Sequence, residues 1–146
     1  GVPMGVTLVR PDILSVMKKG EHSSTFGGNP LACAAGTATL HALTQDGLIE
    51  NAKSIGEKFS NGLEELKSKH PIIREVRGKG LMIGVELKFE VKDILMEGIK
   101  NGLLLLYSGR NILRFLPPLV ISEEDTVKTL QILDKLLTNE ENRRNA

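Results

Sequence analysis

The chain has 146 residues, of which 40% are hydrophobic and 25% charged, with a formal net charge of +1. That supplies one ordinary core and no field of either sign, so neither nucleic acid nor an anionic membrane surface is implied as a partner. Aromatic residues make up 3%, with no Trp, which argues against a base-stacking RNA module.

Val2 to Val9 reads as a short strand or an extended arm. It is apolar from the start, with no polar lead-in, so the expectation is a piece whose beginning lies upstream. The polar stretch from Asn139 to Ala146 is expected to be a genuine, frayed end. Arg10-Pro11-Asp12 opens a short helical turn ending near Lys18-Lys19-Gly20, and residues 20 to 29 form a loop of glycines and hydroxyls. Asn29-Pro30 is a helix start, because Asn caps and Pro is tolerated at the first helical position. The helix predicted from Leu31 to about Leu43 carries Ala32, Ala34, Ala35, Gly36, Ala38 and Ala42, small side chains that let another backbone approach closely. Asp46-Gly47 ends it.

In the next helix Leu48, Ala52, Ile55, Phe59, Leu63 and Leu66 recur at three and four, a one-sided stripe suited to covering a sheet. His70-Pro71 is a turn, Ile72 to Val76 a strand, Arg77-Gly78-Lys79-Gly80 a tight connection, and Leu81 to Leu87 a buried strand. Val91 to Ile99 is predicted helical and stops at Asn101-Gly102. Leu103 to Leu106 and Ile112 to Leu116 are two further strands, the second ended by Pro117-Pro118. Ser122-Glu123-Glu124-Asp125 is close to a capping box, and Val127, Leu130, Leu133 and Leu137 continue the last helix on one face. From Pro71 onward the order strand, strand, helix, strand, strand, helix describes a small two-layer α/β (α+β) unit.

A phosphate dianion needs hydroxyls, backbone N–H groups and often a helix N-terminus, and Ser23 to Pro30 offers all three kinds. By composition alone the same segment reads first as an ordinary loop before a helix. Arg114 sits among Ile, Leu and Phe, where a charge must be paired, face a cleft or snorkel from a strand edge. No metal site is predicted: His22, His41 and His70 share no ligand spacing and Cys33 has no Cys or His partner at a useful interval. The lone Cys33 excludes an internal disulfide, no apolar run reaches the ~18 residues of a membrane span, and no signal-peptide pattern is found, which together predict a cytoplasmic setting. The glycines near Lys79 lack the Walker pattern, and Glu64-Glu65 and Glu123 to Asp125 read as solvated helix faces rather than catalytic pairs.

The run from His22 to Cys33, His-Ser-Ser-Thr-Phe-Gly-Gly-Asn-Pro-Leu-Ala-Cys, closely resembles a signature of the class III pyridoxal-phosphate aminotransferases, the group that includes acetylornithine and ornithine aminotransferases. Asn111 to Leu119 resembles the Arg-Phe-x-Pro-Pro segment of the same enzymes, and Val76 to Glu86 is similar to a stretch of their C-terminal domain. The resemblance implies a PLP-transferase-like fold, with residues 1–46 the end of the large cofactor-binding domain (phosphate loop and interface helix) and 47–146 the C-terminal small domain. It implies that Thr25 binds the phosphate of pyridoxal 5'-phosphate held mainly by the other subunit of a homodimer. It further implies that Ser24 borders the substrate and that Arg114 grips its α-carboxylate, a task suited to a planar guanidinium. Gly1-Val2-Pro3-Met4-Gly5 matches the tail of the family's Gly-Gly-Gly-x-Pro-x-Gly run, which puts the lysine that carries the cofactor upstream of Gly1. No catalytic residue is therefore assigned within the chain. In the whole enzyme an ω-amino group would pass from an acetylornithine-like substrate, or a carrier-linked intermediate of lysine or arginine synthesis, to 2-oxoglutarate. The isolated chain is expected to be inactive. A 4-aminobutyrate or other ω-amino-acid transaminase is the alternative within the family; a stand-alone ligand-binding α/β module without chemistry is the alternative outside it. The Ala-rich helix and the bare first segment predict self-association.

Overall fold

The structure is a computed structural model and describes residues 1–145. It divides into two compact units, Gly1–Gly47 and a second that begins at Leu48.

In the first unit, residues 1–10 carry no strand, so of the two readings of Val2 to Val9 the extended arm stands. Helix α1 (Pro11–Leu14) is a single turn entered from Arg10, whose guanidinium meets Asp12 at 2.7 Å. Helix α2 (Pro30–Gln45) begins as predicted and runs two residues past Leu43. Asp46 closes it through an N–H donated to the Ala42 carbonyl, and Gly47 takes a φ of +68°. None of its residues is buried, and Leu31 and Leu40 are exposed.

The second unit holds the core. Helix α3 (Leu48–Lys69) buries Ile55, Phe59, Leu63 and Leu66, the stripe predicted from their spacing. Strands β1 (Ile73–Lys79), β2 (Met82–Leu87), β3 (Leu106–Ser108) and β4 (Ile112–Phe115) form one antiparallel sheet in the order β1-β2-β4-β3. Helices α3, α4 (Lys92–Lys100) and α5 (Glu123–Asn145) supply the second layer. Ile83, Val85 and Leu87 of β2 and Leu113 and Phe115 of β4 turn inward onto Phe59, Leu63, Leu133 and Leu137. Phe59 meets Phe115 edge to face, with ring centroids 5.2 Å apart. Because side chains alternate along a strand, Gly84, Glu86, Ile112 and Arg114 share the opposite face, which no helix of this unit's layer covers. The two-layer mixed α/β architecture is as predicted.

Three boundaries differ from the expectation, each for a local reason. Strand β1 continues through Arg77 to Lys79, and the turn is made by Gly80, at φ +55°, and Leu81. Gly78 stays in the ladder opposite Ile83 because it is a glycine; a Cβ there would stand 2.3 Å from the Met82 carbonyl oxygen. Strand β3 lies at Leu106–Ser108 rather than Leu103–Leu106, since the Leu103 N–H is spent on the Gly98 carbonyl (2.9 Å) at the end of α4. The C-terminal stretch is helical to Asn145, not frayed. There the buried Glu140 accepts hydrogen bonds from Arg143 and Arg144, and Arg144 lies 3.4 Å above the Phe89 ring. Ser122 and Asp125 form the predicted reciprocal cap, Asp125 N–H to Ser122 Oγ (3.1 Å) and Ser122 N–H to Asp125 Oδ2 (3.3 Å). Among the described residues no helix is long and apolar enough to cross a membrane.

Candidate functional site

The loop before α2 is built from side chain to backbone bonds. Ser24 Oγ accepts the Gly27 N–H at 2.9 Å, which curls residues 24–27 into a turn. A Cβ on Gly27 would touch that hydroxyl at 2.9 Å, and Gly28 lies at φ +72°, so both glycines are required by the path of the chain. Asn29 then fixes the helix entry, its Oδ1 accepting from Ala32 N–H (2.9 Å) and its Nδ2 donating to the Phe26 carbonyl (2.8 Å). Thr25 stands exposed at the crest, next to Phe26, which is 80% exposed. Ser24, although it closes the turn as an acceptor, keeps its own O–H free to donate.

The α2 N-terminus contributes less than the sequence suggests. Pro30 has no N–H, Ala32 gives its own to Asn29 Oδ1, and Cys33 gives its own to the Asn29 carbonyl at 3.0 Å. Of the first-turn donors only the Leu31 N–H is left without a partner among the described residues, so an anion at this loop would meet the Thr25 hydroxyl, the glycine backbone and that single helix-end N–H.

Arg114 lies on β4, half-buried, on the open face of the sheet opposite Gly84 on one side and Leu106 on the other. Its Nε is buried without a hydrogen-bond partner. It lines a cavity of about 410 Å³ together with Arg77, Lys79, Gly84 and Ser108, and among the described residues no carboxylate is in that lining. A buried cationic N–H is costly to leave unpaired, so this site fits an anion supplied from outside the chain. The nearest carboxylate on the same face, Glu86, is taken: Oε1 accepts from Arg74 Nη1 at 2.9 Å and Oε2 from Arg77 Nη1 at 2.8 Å. The Arg77 hydrogen bond is the main reason the Glu86 carboxyl is held below its ordinary pKa. Among the described residues no cluster of His, Cys, Asp and Glu could hold a metal ion.

Residues 1–137 match the model of the family described as Aminotransferase class-III. The chain belongs to the class III aminotransferases. Within that family it is 46% identical, over 94% of its own length, to the acetylornithine aminotransferase of Caldanaerobacter subterraneus subsp. tengcongensis, of which it covers 35%. It is 43% identical to the mitochondrial acetylornithine aminotransferase of Eremothecium gossypii, covering 32% of that protein. Among solved structures, the acetylornithine aminotransferase of Elizabethkingia anophelis matches 90% of the chain with a TM-score of 0.84 at 36% identity, and the chain covers 34% of it. The ornithine δ-aminotransferase of Plasmodium falciparum matches with the same TM-score at 37% identity, the chain again covering 34%. The chain thus spans about a third of the length of these aminotransferases.

Two features beside Arg114 are set by strand pairing rather than by the local sequence. The sequence places Gly84 and Glu86 within a buried strand, and the alternation of Ile83, Val85 and Leu87 turns them to the other face. Arg77, expected in the connection between the strands, extends β1 and braces Glu86.

Proposed function

We propose that this chain is the phosphate-loop and small-domain portion of a cytoplasmic, homodimeric pyridoxal-phosphate enzyme that moves an ω-amino group from an acetylornithine-like donor to 2-oxoglutarate. Residues 1–46 then close the large domain and 47–146 form the small one. The observation that carries the reading is Arg114, whose buried Nε has no partner beside a cavity with no carboxylate in its described lining, in a chain of this family. Its task is to clamp the substrate carboxylate, which orients the carbon bearing the amino or keto group. Ser24, with a hydroxyl hydrogen still to donate, lies on the loop that reaches across the homodimer and borders a substrate there. Thr25, exposed beside Gly27 and Gly28, donates its hydroxyl to the cofactor phosphate. When bound, the cofactor supplies the electron sink for amino-group exchange; this chain supplies grip and orientation.

Both halves of the reading are testable. In the full-length enzyme that contains this chain, Arg114→Gln should raise KM for 2-oxoglutarate by roughly tenfold to a hundredfold, the scale of losing a hydrogen bond to a charged group. Thr25→Ala should lose cofactor on dialysis, followed by its absorbance. The 146-residue chain alone, given pyridoxal phosphate, acetylornithine and 2-oxoglutarate, should form no glutamate. Turnover by the chain alone, or an unchanged KM in the Arg114 variant, overturns the reading.

A further inference from the structure

The open sheet face is a two-row grid. One row across the strands reads Arg77, Gly84, Arg114, Leu106 and the next reads Glu75, Glu86, Ile112, Ser108. Glu86 is therefore the diagonal same-face neighbour of Arg114, at the ~7–8 Å spacing that long side chains bridge. Gly84, beside both, has no side chain to stand between them. Left to itself, a carboxylate in that place would pair with Arg114 and fill it.

Glu86 is instead drawn toward β1. Arg74 and Arg77 hold one oxygen each, and Asn111 Nδ2 adds a contact to Oε1 at 3.3 Å. Arg77 is itself fixed by Glu75, its Nη1 donating to Oε2 at 2.6 Å. Arg114 Nε, by contrast, is buried and unpaired. We propose that Arg77, with Arg74, is a positioning residue that holds the Glu86 carboxylate away from Arg114, so that the Arg114 guanidinium stays open to the carboxylate of a small-molecule substrate. The assignment of that external carboxylate rests on the function proposed above; the restraint on Glu86 does not. The same Arg77 hydrogen bond that restrains Glu86 also holds its carboxyl below the ordinary carboxylate pKa. Gly84 belongs to the same device, since a Cβ there would press Ile112 Cγ2 at 3.2 Å and narrow the floor beneath Arg114.

The test uses the 146-residue chain, glutarate as probe, and the arginine Nε–H resonances in a proton–nitrogen NMR spectrum, with Arg114 assigned through Arg114→Lys. In the ligand-free protein, Arg77→Leu should move the Arg114 Nε–H resonance, and adding Glu86→Gln should return it. Glutarate binding should weaken in Arg77→Leu by up to about fivefold, the scale of an exposed ion pair, and recover in the double variant. Arg74→Leu, which leaves the other oxygen only its longer Asn111 contact, should shift the resonance in the same direction and keeps the test open if the first variant does not fold. An unmoved Arg114 resonance in both single variants overturns the proposal, as does a shift that Glu86→Gln fails to reverse, which marks a merely structural role. If glutarate binds the wild type and Arg114→Lys equally, the clamp reading fails while the ligand-free shifts still decide the role of Arg77.

Discussion

Replacing Gly56 by Ala sets two effects of opposite sign against each other. Gly56 lies in the middle of α3, where helix propensity alone favours Ala by ~1 kcal/mol. A Cβ at this position, however, would stand 2.4 Å from the Gly80 carbonyl oxygen, 2.5 Å from its carbon and 2.9 Å from its Cα, where ordinary contact begins at 3.4 Å. All three atoms are backbone, and Gly80 is held at φ +55° by the β1–β2 turn, so none can rotate aside. Relief requires the helix to back away from the sheet, loosening Phe59 and Leu63. Overpacking of that kind costs ~1–3 kcal/mol, and a backbone obstacle belongs at the upper end. Less the propensity gain, the variant should lose about 2 kcal/mol. Urea unfolding followed by far-ultraviolet circular dichroism should show the midpoint falling by on the order of 1 M at unchanged slope. Gly62→Ala is the control: its Cβ would meet Leu130 Cδ1 at 2.3 Å, the far end of a side chain that can change rotamer. That variant should stay within about 0.5 kcal/mol of the wild type, the rotamer cost offset by propensity. A Gly56→Ala protein as stable as wild type, or a Gly62→Ala protein that suffers more, refutes the reasoning.

His70→Ala should destabilise the second unit by about 3 kcal/mol, because a buried ring loses hydrogen bonds to Glu141 (2.9 Å) and Asp134 (2.7 Å) that tie the end of α3 to α5; thermal unfolding measures it. Asn29→Ala should cost α2 about 1 kcal/mol, seen as faster amide exchange in its first turn with α3 and α5 unaffected. Glu86→Gln should flatten the acid limb of stability. The Glu86 carboxyl is lowered first by the Arg77 hydrogen bond, so its contribution is complete above the unfolded value of 4.5 and is lost as pH falls through the lower folded value. A pH series of urea midpoints that stays parallel in variant and wild type below pH 5 would count against that sign.

The helices were legible because each carries its own instructions: a period of three and four in α3, an Asn-Pro start in α2, a reciprocal Ser–Asp cap in α5. The features missed depend on what a segment meets. Leu103 to Leu106 has the composition of a strand, yet Leu103 closes α4, and only the pairing of Leu106–Ser108 with β4 decides where the ladder begins. The last turns of α5 looked like a polar tail because their stability lies in contacts with residues some 50 positions away, Arg143 with Asp93 at 2.6 Å and Arg144 over Phe89.

For the site, local chemistry and pairing register divided the information. A Ser-Thr-x-Gly-Gly-Asn-Pro string states its own turn, and an Arg inside Ile-Leu-Arg-Phe states that a charge must find a partner. Neither states what stands beside it. The register Arg77–Gly84–Arg114 is set across three strands, so the string Arg-Gly-Lys-Gly read alone could only suggest a bend. Once the strands pair, the same alternation that sends Ile83 and Val85 into the core brings Glu86 up to Arg114, and the fold then needs two more arginines to keep them apart. The conflict and its resolution therefore arise together from a single period of two. This also explains why a half-buried arginine with a buried, unpartnered Nε lies one diagonal step from a carboxylate that already has three donors.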